Sequence, residues 1–240
     1  MRATICLPTY NERENLSRMV EALSREIRDG DRVLVIDDNS PDGTGELADQ
    51  LALEHSFLEV LHRPQKEGLG RAYIAGFQHV LASDAELVLE MDCDFSHAPT
   101  DVARLIEAAE AGADLVLGSR YVPGGGTRNW GIVRRLISRG GSVYTAFWLH
   151  MGVKDPTGGF KCFRREVLER LDLDAITPRG YAFQIETTWR VKQLGFRIIE
   201  IPITFIDREL GQSKMSKAVV LEAIWRVPAL RLRSARNSSR

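Results

Sequence analysis

The stretch Leu87-Val-Leu-Glu-Met-Asp-Cys-Asp-Phe-Ser-His97 places two carboxylates, one residue apart, directly after a run of mostly apolar residues. The run from Leu87 to Met91 predicts a buried β-strand. In open α/β sheets, ligands bind beside the carboxyl ends of the strands, and Asp92 and Asp94 follow such an end. The sequence therefore predicts a ligand site in the loop after this strand.

The Asp92 and Asp94 pair offers the hard oxygen ligands that Mg²⁺ and Mn²⁺ prefer. These ions usually keep several waters and complete their coordination with substrate phosphate oxygens, so the pair indicates a nucleotide diphosphate. Alternatively, the two side chains only shape the loop and cap the helix that begins near Thr100. A bare Asp-x-Asp favours this second interpretation, so other parts of the chain are needed to choose between them.

Length and composition are those of an ordinary soluble globular protein. The 240 residues are enough for one α/β domain with a large core, followed by a tail. The net charge of -1 excludes a general attraction to nucleic acid. No window approaches the roughly 20 apolar residues of a transmembrane helix, and the first residues do not resemble a signal peptide, so we expect a cytoplasmic protein. Three isolated cysteines are predicted to be free thiols.

Strands and helices alternate along the rest of the chain. Further strands are predicted over 3–7, 33–36, 58–61, 114–117 and 197–205. We expect Pro8 to end the first of them. Helices of about 10 to 15 residues between the strands predict a mostly parallel sheet covered on both faces. Right-handed crossovers would bring the loops 9–15, 37–42 and 92–97 to one edge, where we expect a cleft.

A basic and aromatic segment follows Tyr121. Four arginines lie within residues 128–139, and the aromatic-rich stretch 143–151 comes next. Apolar and aromatic residues beside a cluster of arginines predict an amphipathic, membrane-facing segment at about 128–152. The alternative is an amphipathic helix that packs on the sheet and exposes a basic face to water. Composition alone does not choose between them.

The end of the chain, from Arg226 to Arg240, contains five arginines and no carboxylate. Near an anionic membrane each basic residue adds about 1 kcal/mol of attraction, so this tail is a candidate anchor. The alternative is a solvated tail without structure. We therefore predict one folded domain over 1–217, and a helix with a basic tail over 218–240.

Five short motifs occur in order along the chain. They are Pro8-Thr-Tyr-Asn-Glu12, Asp37-Asp-Asn-Ser-Pro-Asp-Gly-Thr44, Met91-Asp-Cys-Asp-Phe-Ser-His97, Gly118-Ser-Arg-Tyr121 and Ser213-Lys-Met215. Each motif alone is weak, but together they resemble the polyprenol-phosphate (dolichol-phosphate) mannosyltransferases. These are inverting enzymes of glycosyltransferase family 2 with the Rossmann-like GT-A fold.

The resemblance implies a GT-A catalytic domain over 1–217, with amphipathic interface helices. It also implies a reaction, in which mannose passes from GDP-mannose to a polyprenyl (dolichyl-type) monophosphate with inversion, giving polyprenyl β-mannosyl phosphate and GDP. A bound Mg²⁺ or Mn²⁺ is the expected cofactor. Because no carboxyl-terminal membrane domain is seen, the chain resembles the short, soluble-type members. These associate peripherally with the cytoplasmic face of the membrane or with a separate membrane-protein partner.

The resemblance further implies roles for single residues. The nucleotide sugar is expected at Pro8, Tyr10, Glu12, Ile36, Asp38, Asp92, Cys93, Asp94, Gln184, Arg208 and Lys214. The lipid phosphate is expected at Arg120, Arg134 and Ser138, and the metal ion at Asp94 and Ser96. The expected catalytic residues are Asp92, Asp94 and Arg120. Ser96 stands where some members have a longer amide ligand, so a water is expected to complete the coordination.

The expected reaction is also consistent with the chemistry of the residues themselves. A divalent ion would neutralise the charge that builds up on a departing diphosphate. A lipid monophosphate is already an anion at neutral pH and needs no general base, whereas a sugar hydroxyl would need one. The residues after the fifth predicted strand offer arginines, whose planar guanidinium group suits phosphate oxygens.

Other functions are compatible with parts of the sequence. The same fold could transfer another sugar, such as glucose, or use a hydroxyl acceptor, and a nucleotide-sugar-binding protein without turnover is a further alternative. Lys214-Met-Ser-Lys217 resembles a signature of class I aminoacyl-tRNA synthetases, but their His-x-Gly-His motif is absent from the sequence. Gly68-Leu-Gly70 begins a dinucleotide-binding fingerprint, but Tyr73 stands where the third glycine belongs.

Overall fold

The computed structural model describes residues 1–177, 180–207, 227, 228, 230 and 231. In these residues the strands are β1 (Ala3–Thr9), β2 (Arg32–Asp37), β3 (Leu58–His62), β4 (Leu87–Glu90), β5 (Leu115–Ser119), β6 (Gly126–Arg128), β7 (Lys161–Arg164), β8 (Ile198–Pro202) and β9 (Thr204–Ile206). The helices are α1 (Arg13–Ser24), α2 (Thr44–Glu54), α3 (Leu69–Leu81), α4 (Asp101–Glu110), α5 (Ile132–Leu149), α6 (Arg165–Arg170) and α7 (Gly180–Gln193). The predicted site residues Arg208 and Lys214 and the predicted domain boundary at 217 lie outside the described residues.

Seven strands form one sheet in the order β3-β2-β1-β4-β7-β5-β8. Neighbouring strands are parallel, except that β7 runs antiparallel to both β4 and β5. Helices cover both faces, because successive strand residues point to opposite sides and both sides are apolar. Cys6 packs on one face in a cluster with Phe77 and Phe163, whereas Ile5 packs on the other face with Leu16. The predicted mostly parallel sheet with helices on both faces is confirmed.

Pro8 lies inside β1, so the prediction that it ends the strand is wrong. β1 continues to Thr9. The backbone of Cys6 faces β4, where its carbonyl oxygen accepts the Met91 N–H. The backbone of Thr9 faces β2, where its carbonyl oxygen accepts the Asp38 N–H. The Pro8 backbone faces the same side of the strand as the Cys6 backbone. Because the pairing with β4 ends at Cys6, the missing N–H of proline removes no hydrogen bond between strands.

The chain over 197–205, predicted as one strand, forms two. β8 ends at Pro202 on the edge of the main sheet, and β9 begins two residues later. Between them, Ile203 donates its N–H to the Ser119 carbonyl oxygen at 3.1 Å and accepts the Gly126 N–H at 3.0 Å. This leads the chain to β6, with which β9 forms a small parallel sheet. A continuous apolar run does not reveal such a change of sheet, because both strands need apolar residues.

Helix α5 exposes apolar side chains to solvent. Ile132, Leu136 and Phe147 are between 68% and 74% exposed, whereas Ser142 and Thr145 are buried. The predicted amphipathic segment is therefore a helix whose apolar side faces solvent instead of the sheet. No helix within the described residues has the length and apolar character needed to cross a membrane.

Candidate active site

The carboxyl ends of β1, β2, β4 and β5 border a cavity of about 400 Å³. Of the residues predicted to bind the nucleotide sugar, the cavity wall contains Pro8, Tyr10, Glu12, Asp38, Asp92, Cys93, Asp94 and Gln184. Arg120 and Arg134, which are predicted to bind the lipid phosphate, line the same cavity. The structure thus brings together the two predicted halves of the site, which are far apart in the sequence.

Three other described residues with predicted roles lie outside this cavity wall. The Ile36 side chain packs in the core beside Gly76, where an added Cβ would lie 2.4 Å from Ile36 Cδ1. Ser96 is buried in the loop after β4. Ser138 lies on α5, where its hydroxyl oxygen accepts a hydrogen bond from the Tyr121 hydroxyl at 2.7 Å. Their ligand contacts stay predictions.

Asp92 and Asp94 lie in the loop after β4, because that strand ends at Glu90. Asp94 Oδ1 accepts the Ser96 N–H at 3.0 Å, which closes a tight turn. Phe95, which lies between Asp94 and Ser96, has a φ of 60°, a conformation that residues other than glycine seldom adopt. The turn keeps both aspartate side chains in the cavity wall.

His97 holds this loop in place. Its Nδ1 accepts the Asp92 backbone N–H at 3.2 Å, so the ring proton of the neutral form lies on Nε2. The ring stacks on Phe160 with centroids 4.8 Å apart, and the Phe205 ring meets it edge-on at 5.4 Å. Burial lowers the pKa of His97 to about 4, although the Asp94 charge opposes this shift. The imidazole is therefore neutral at neutral pH.

The residues present fit a divalent metal ion that is held mainly by substrate and water. The described residues contain no group of three or more His, Cys, Asp or Glu side chains that would hold a metal ion. The cavity does have two carboxylates, Asp92 and Asp94, and the buried hydroxyl of Ser96 has no hydrogen-bond partner among the described residues. Few protein ligands, all of them oxygens, are typical of Mg²⁺ beside substrate phosphates.

Tyr10 and Asp38 form the cavity wall beside β1 and β2. The Lys66 ammonium lies 3.5 Å from the centre of the Tyr10 ring, which is a cation–π contact. Asp38 forms a buried ion pair with Arg63, which also contacts Glu67 at 2.7 Å. Burial raises the pKa of Asp38, and the Arg63 guanidinium opposes the shift. An aromatic ring, a carboxylate and an ammonium group therefore lie together in this part of the wall.

Arg120 and Arg134 form another part of the wall. Arg120 follows β5, and the carboxylate of Asp155 lies 2.7 Å from its Nε and 2.6 Å from its Nη2. Arg134, on α5, pairs with Asp207 at 2.5 Å, and its guanidinium carbon lies 4.2 Å from the centre of the Trp130 ring. This part of the wall thus carries two planar groups of donors suited to phosphate, each paired with a carboxylate.

A buried pair of charged residues lies next to Gln184. Glu90 and Lys161 are opposite each other on β4 and β7, and neither has exposed surface. Burial raises the pKa of Glu90 to about 7 and lowers the pKa of Lys161 to about 8, while their mutual attraction opposes both shifts. Lys161 Nζ donates to the Gln184 backbone oxygen at 3.0 Å. The side-chain amide of Gln184 lies beside the Glu90 carboxylate, where its hydrogen bonding opposes the rise of the Glu90 pKa, and Gln184 also lines the cavity.

Several residues of the site were not predicted from the sequence. Two of them could have been found in the sequence. Asp155 begins the glycine-rich turn Asp155-Pro-Thr-Gly-Gly159, and Glu90 is a charged residue inside a predicted apolar strand. Nothing in the neighbouring sequence marks Lys66 or Trp130, because their contacts join segments that are distant in the chain.

Comparison with known proteins gives the family. The model of the family described as Glycosyl transferase family 2 matches residues 4–172. The polyprenol monophosphomannose synthase of Mycolicibacterium smegmatis is 49% identical over 227 residues, which are 94% of this chain and 85% of that protein. The undecaprenyl-phosphate mannosyltransferase of Micrococcus luteus is 48% identical over 224 residues, which are 93% of this chain and 91% of that protein.

Solved structures have the same fold. A mannosyltransferase from Pyrobaculum calidifontis, in complex with GDP-Man and Mn²⁺, has a TM-score of 0.64 at 21% identity, and the match covers 88% of this chain but only 58% of that one. Glucosyl-3-phosphoglycerate synthase from Mycobacterium tuberculosis, in complex with Mn²⁺, UDP-Glc and phosphoglyceric acid, has a TM-score of 0.72 at 21% identity, covering 95% of this chain and 79% of that one. The predicted GT-A fold is confirmed. With the family match and the two relatives at nearly half identity, this chain belongs to glycosyl transferase family 2.

Proposed function

We propose that the protein transfers mannose from GDP-mannose to a polyprenyl (dolichyl-type) monophosphate with inversion, giving polyprenyl β-mannosyl phosphate and GDP. The observation that carries this proposal is the shared cavity, whose wall has Asp92 and Asp94 in one part and Arg120 and Arg134 in another. The names of the two relatives, a polyprenol monophosphomannose synthase and an undecaprenyl-phosphate mannosyltransferase, support the same reaction.

In the proposed reaction, an oxygen of the acceptor phosphate attacks the anomeric carbon of mannose. The new C–O bond forms as the bond to the diphosphate breaks, and the electron pair of that bond leaves with GDP. No proton has to move, because a phosphate monoester is already an anion at neutral pH. Attack from the face opposite the leaving group inverts the anomeric centre.

On the donor side, we assign Tyr10 and Asp38 to the nucleoside and Asp92 to the ribose and diphosphate. Asp94, together with the Ser96 hydroxyl, would hold Mg²⁺ or Mn²⁺. When bound, such an ion neutralises charge on the departing diphosphate. The carboxylate pair in the cavity wall and the unpartnered Ser96 hydroxyl support this assignment.

On the acceptor side, we assign Arg120 and Arg134 to the lipid phosphate. The Arg134 guanidinium group can donate two parallel hydrogen bonds to phosphate oxygens. Arg120 would contribute mainly its positive charge, because its Nε and Nη2 donate to Asp155 and Thr157. The incoming phosphate would replace the Asp207 carboxylate at Arg134, because both anions use the same donors. Arg120 would keep its carboxylate partner, Asp155, which is fully buried.

His97 is not placed to act as a general base for a hydroxyl acceptor. A hydroxyl nucleophile would need a general base within hydrogen-bonding distance. His97 lines the cavity, but its Nδ1 already accepts the Asp92 N–H, and burial lowers its pKa to about 4. The cavity wall formed by the described residues therefore lacks a histidine that could take a proton from a hydroxyl acceptor.

We infer that the protein binds peripherally to a membrane through α5. Exposed apolar side chains, such as Leu136 and Phe147, and the exposed Arg135 and Arg139 lie on this one helix. Apolar side chains mixed with basic ones are typical of helices that lie in a membrane interface. A prenyl chain would then reach the cavity from the membrane. The cytoplasmic face and a separate membrane-protein partner stay predictions.

A panel of donors and acceptors tests the proposed function. The full chain is incubated with GDP-mannose or UDP-glucose, each with a short polyprenyl phosphate or the matching polyprenol, and nucleotide release and lipid product are measured. We expect product from GDP-mannose with the phosphate and from no other pair. Transfer to the polyprenol would indicate a hydroxyl acceptor, and a preference for UDP-glucose would indicate another sugar. Donor binding without release would indicate a non-catalytic binding protein.

A further inference from the structure

Asp155 is a buried acidic residue to which the sequence assigns no role. Its carboxylate has no exposed surface. Burying an isolated carboxylate is costly, so a partner of opposite charge is needed. That partner is Arg120, which lies 35 residues earlier in the chain and lines the cavity.

The Asp155 carboxylate holds Arg120 at three points. Its Oδ2 accepts the Arg120 backbone N–H at 3.0 Å and Nε at 2.7 Å, and its Oδ1 accepts Nη2 at 2.6 Å. The two parallel side-chain bonds define the plane of the guanidinium group. The bond to the backbone N–H fixes the main chain of Arg120 as well. Asp155 thus determines both the place and the orientation of this guanidinium group.

Asp155 is itself held by its neighbours. The Glu200 carboxylate on β8 accepts the Asp155 backbone N–H at 2.9 Å. The Thr157 hydroxyl donates to Asp155 Oδ1 at 3.1 Å and accepts Nη2 of Arg120 at 2.8 Å. The same hydroxyl lies 3.2 Å from the Ser142 hydroxyl on α5. The loop around Asp155 therefore connects Arg120 to the edge of the sheet and to α5.

Arg120 lies among aromatic rings. Only 7% of its surface is exposed, and the ring centres of Tyr121, Trp130 and Phe205 lie 5.2 to 5.6 Å from its guanidinium carbon. Because Arg120 is buried, water screens little of its charge, and the position of its counter-ion largely decides where the guanidinium group is stable. For Arg120 that counter-ion is Asp155.

We propose that Asp155 is a positioning residue for the acceptor phosphate, which acts through Arg120 and does not touch the substrate. Thr157 supports it by bridging Asp155 and Arg120. The proposal rests on the proposed function for the identity of the acceptor. The positioning of Arg120 by Asp155 can nevertheless be tested by the binding of an anion alone, without any transfer reaction. Asparagine at 155 would keep the size and remove the charge and one of the two acceptor oxygens, so the guanidinium plane would no longer be fixed.

Two variants of the full chain, Asp155→Asn and Thr157→Val, test the proposal. Kinetic constants are measured with GDP-mannose and a short polyprenyl phosphate, and binding of farnesyl phosphate without donor is measured by calorimetry. For Asp155→Asn we expect the acceptor KM and the farnesyl phosphate Kd to rise about tenfold or more, and for Thr157→Val about threefold. The KM for GDP-mannose should change by less than about twofold, because the donor residues are untouched.

Asp31→Asn is the matched control. Asp31 is also buried, at 4% exposure, and it pairs with Arg28 at 3.1 Å, but it does not line the cavity. We expect this variant to lower the thermal stability and to leave both KM values unchanged. An unchanged or lowered acceptor KM in Asp155→Asn overturns the proposal. If that variant does not fold, the same result for Thr157→Val overturns it.

The farnesyl phosphate measurement separates this proposal from the proposed function. If the wild type binds farnesyl phosphate but transfers no mannose, the proposed function fails, while weaker binding by Asp155→Asn still supports the positioning role. If the wild type transfers mannose and the variant keeps its acceptor KM, the positioning role fails and the function stands. If the wild type does not bind farnesyl phosphate, the positioning role fails as well.

Discussion

The two parts of the cavity wall are built differently. The part that we propose for the donor, the donor part, lies at the ends of parallel strands, where Tyr10, Asp38 and the Asp92–Asp94 pair follow β1, β2 and β4. The acceptor part joins Arg120 and Arg134, and each is held by a carboxylate from a distant segment. Asp92 and Asp94 are assigned to the leaving diphosphate and its metal ion, so changes there should affect the chemical step. Arg120 and Arg134 are assigned to the acceptor phosphate, so changes there should affect binding of the acceptor.

The largest effect is expected from Asp94→Ala in the donor part. Transfer should fall about a thousandfold or more, because the charge on the leaving diphosphate loses its metal site. The fold should stay intact because the sheet below the loop is untouched, and the loss of thermal stability should be limited to the Ser96 N–H bond that closes the turn. A transfer assay with titrated Mn²⁺ measures this. Asp49→Ala, which removes an exposed carboxylate on α2, is the control and should keep the wild-type rate. Full activity in Asp94→Ala would contradict the metal assignment.

In the acceptor part, Arg134→Ala should raise the acceptor KM about tenfold to a hundredfold and leave the KM for GDP-mannose unchanged. Arg134 lines the cavity, whereas the next residue, Arg135, is exposed and contacts the Thr127 carbonyl oxygen at 3.4 Å. Arg135→Ala removes the same charge from the same helix, and in an assay with a short polyprenyl phosphate and no membrane it should keep both KM values near those of the wild type. If both KM values rose equally in Arg134→Ala, the division into donor and acceptor parts would be wrong at this residue.

Leu136→Glu extends the comparison to the outer side of α5. Binding to vesicles with anionic lipid should weaken about tenfold, because an apolar side chain of this size contributes roughly 1.5 to 3 kcal/mol when it leaves water. Leu53→Glu is the control, since Leu53 is 90% exposed on α2. Sedimentation with vesicles measures both variants. An equal loss in both would show that added negative charge, and not α5, determines the binding.

The last prediction concerns His97, which bonds to the Asp92 backbone in the donor part and packs against Phe205, whose ring lies beside Arg120. Burial lowers its pKa from 6.5 to about 4, so between these values the unfolded chain binds more protons than the folded protein. The free energy of unfolding therefore carries the full contribution of neutral His97 above about pH 6.5. As the pH falls from there toward 4, this contribution is lost by at most about 1.4 kcal/mol per pH unit.

The free energy of unfolding of His97→Asn, measured from pH 7 to pH 4 beside the wild type, checks this expectation. The variant should lose less stability on acidification. Glu90, whose pKa burial raises to about 7, changes stability in the opposite sense, but it does so in both proteins. The difference between the two curves therefore reports His97. Parallel curves would contradict the expectation.

The donor part could be predicted from the sequence because its residues are neighbours of strands. An apolar run followed by Asp92 and Asp94 fixes both the strand and the edge of the sheet at which the carboxylates lie. The resemblance supplied Arg120 and Arg134, but not their carboxylate partners. Those partners lie 35 and 73 residues away, and no local pattern encodes such a distance.

The fold shows the same division. Alternating strands and helices predicted the parallel part of the sheet, since each unit depends on local periodicity. The direction of β7 and the break at Ile203 could not be predicted, because both depend on which distant strand the segment pairs with. The role predicted for Ile36 illustrates a related point. A family motif does not tell whether a side chain faces the core or the ligand, and the Ile36 side chain packs in the core.

The reversed direction of β7 has a consequence for how substrate choice can change. The segment that enters β7, with Gly158 and Gly159, lines the cavity, whereas the segment that leaves it passes directly into α6. A side chain at Gly158 would come within 3.2 Å of the Gly118 carbonyl oxygen, so the space there is already filled. Insertions just before β7 should therefore alter which sugars and lipids the enzyme accepts, while insertions at the junction of β7 and α6, away from the cavity wall, should leave selectivity untouched.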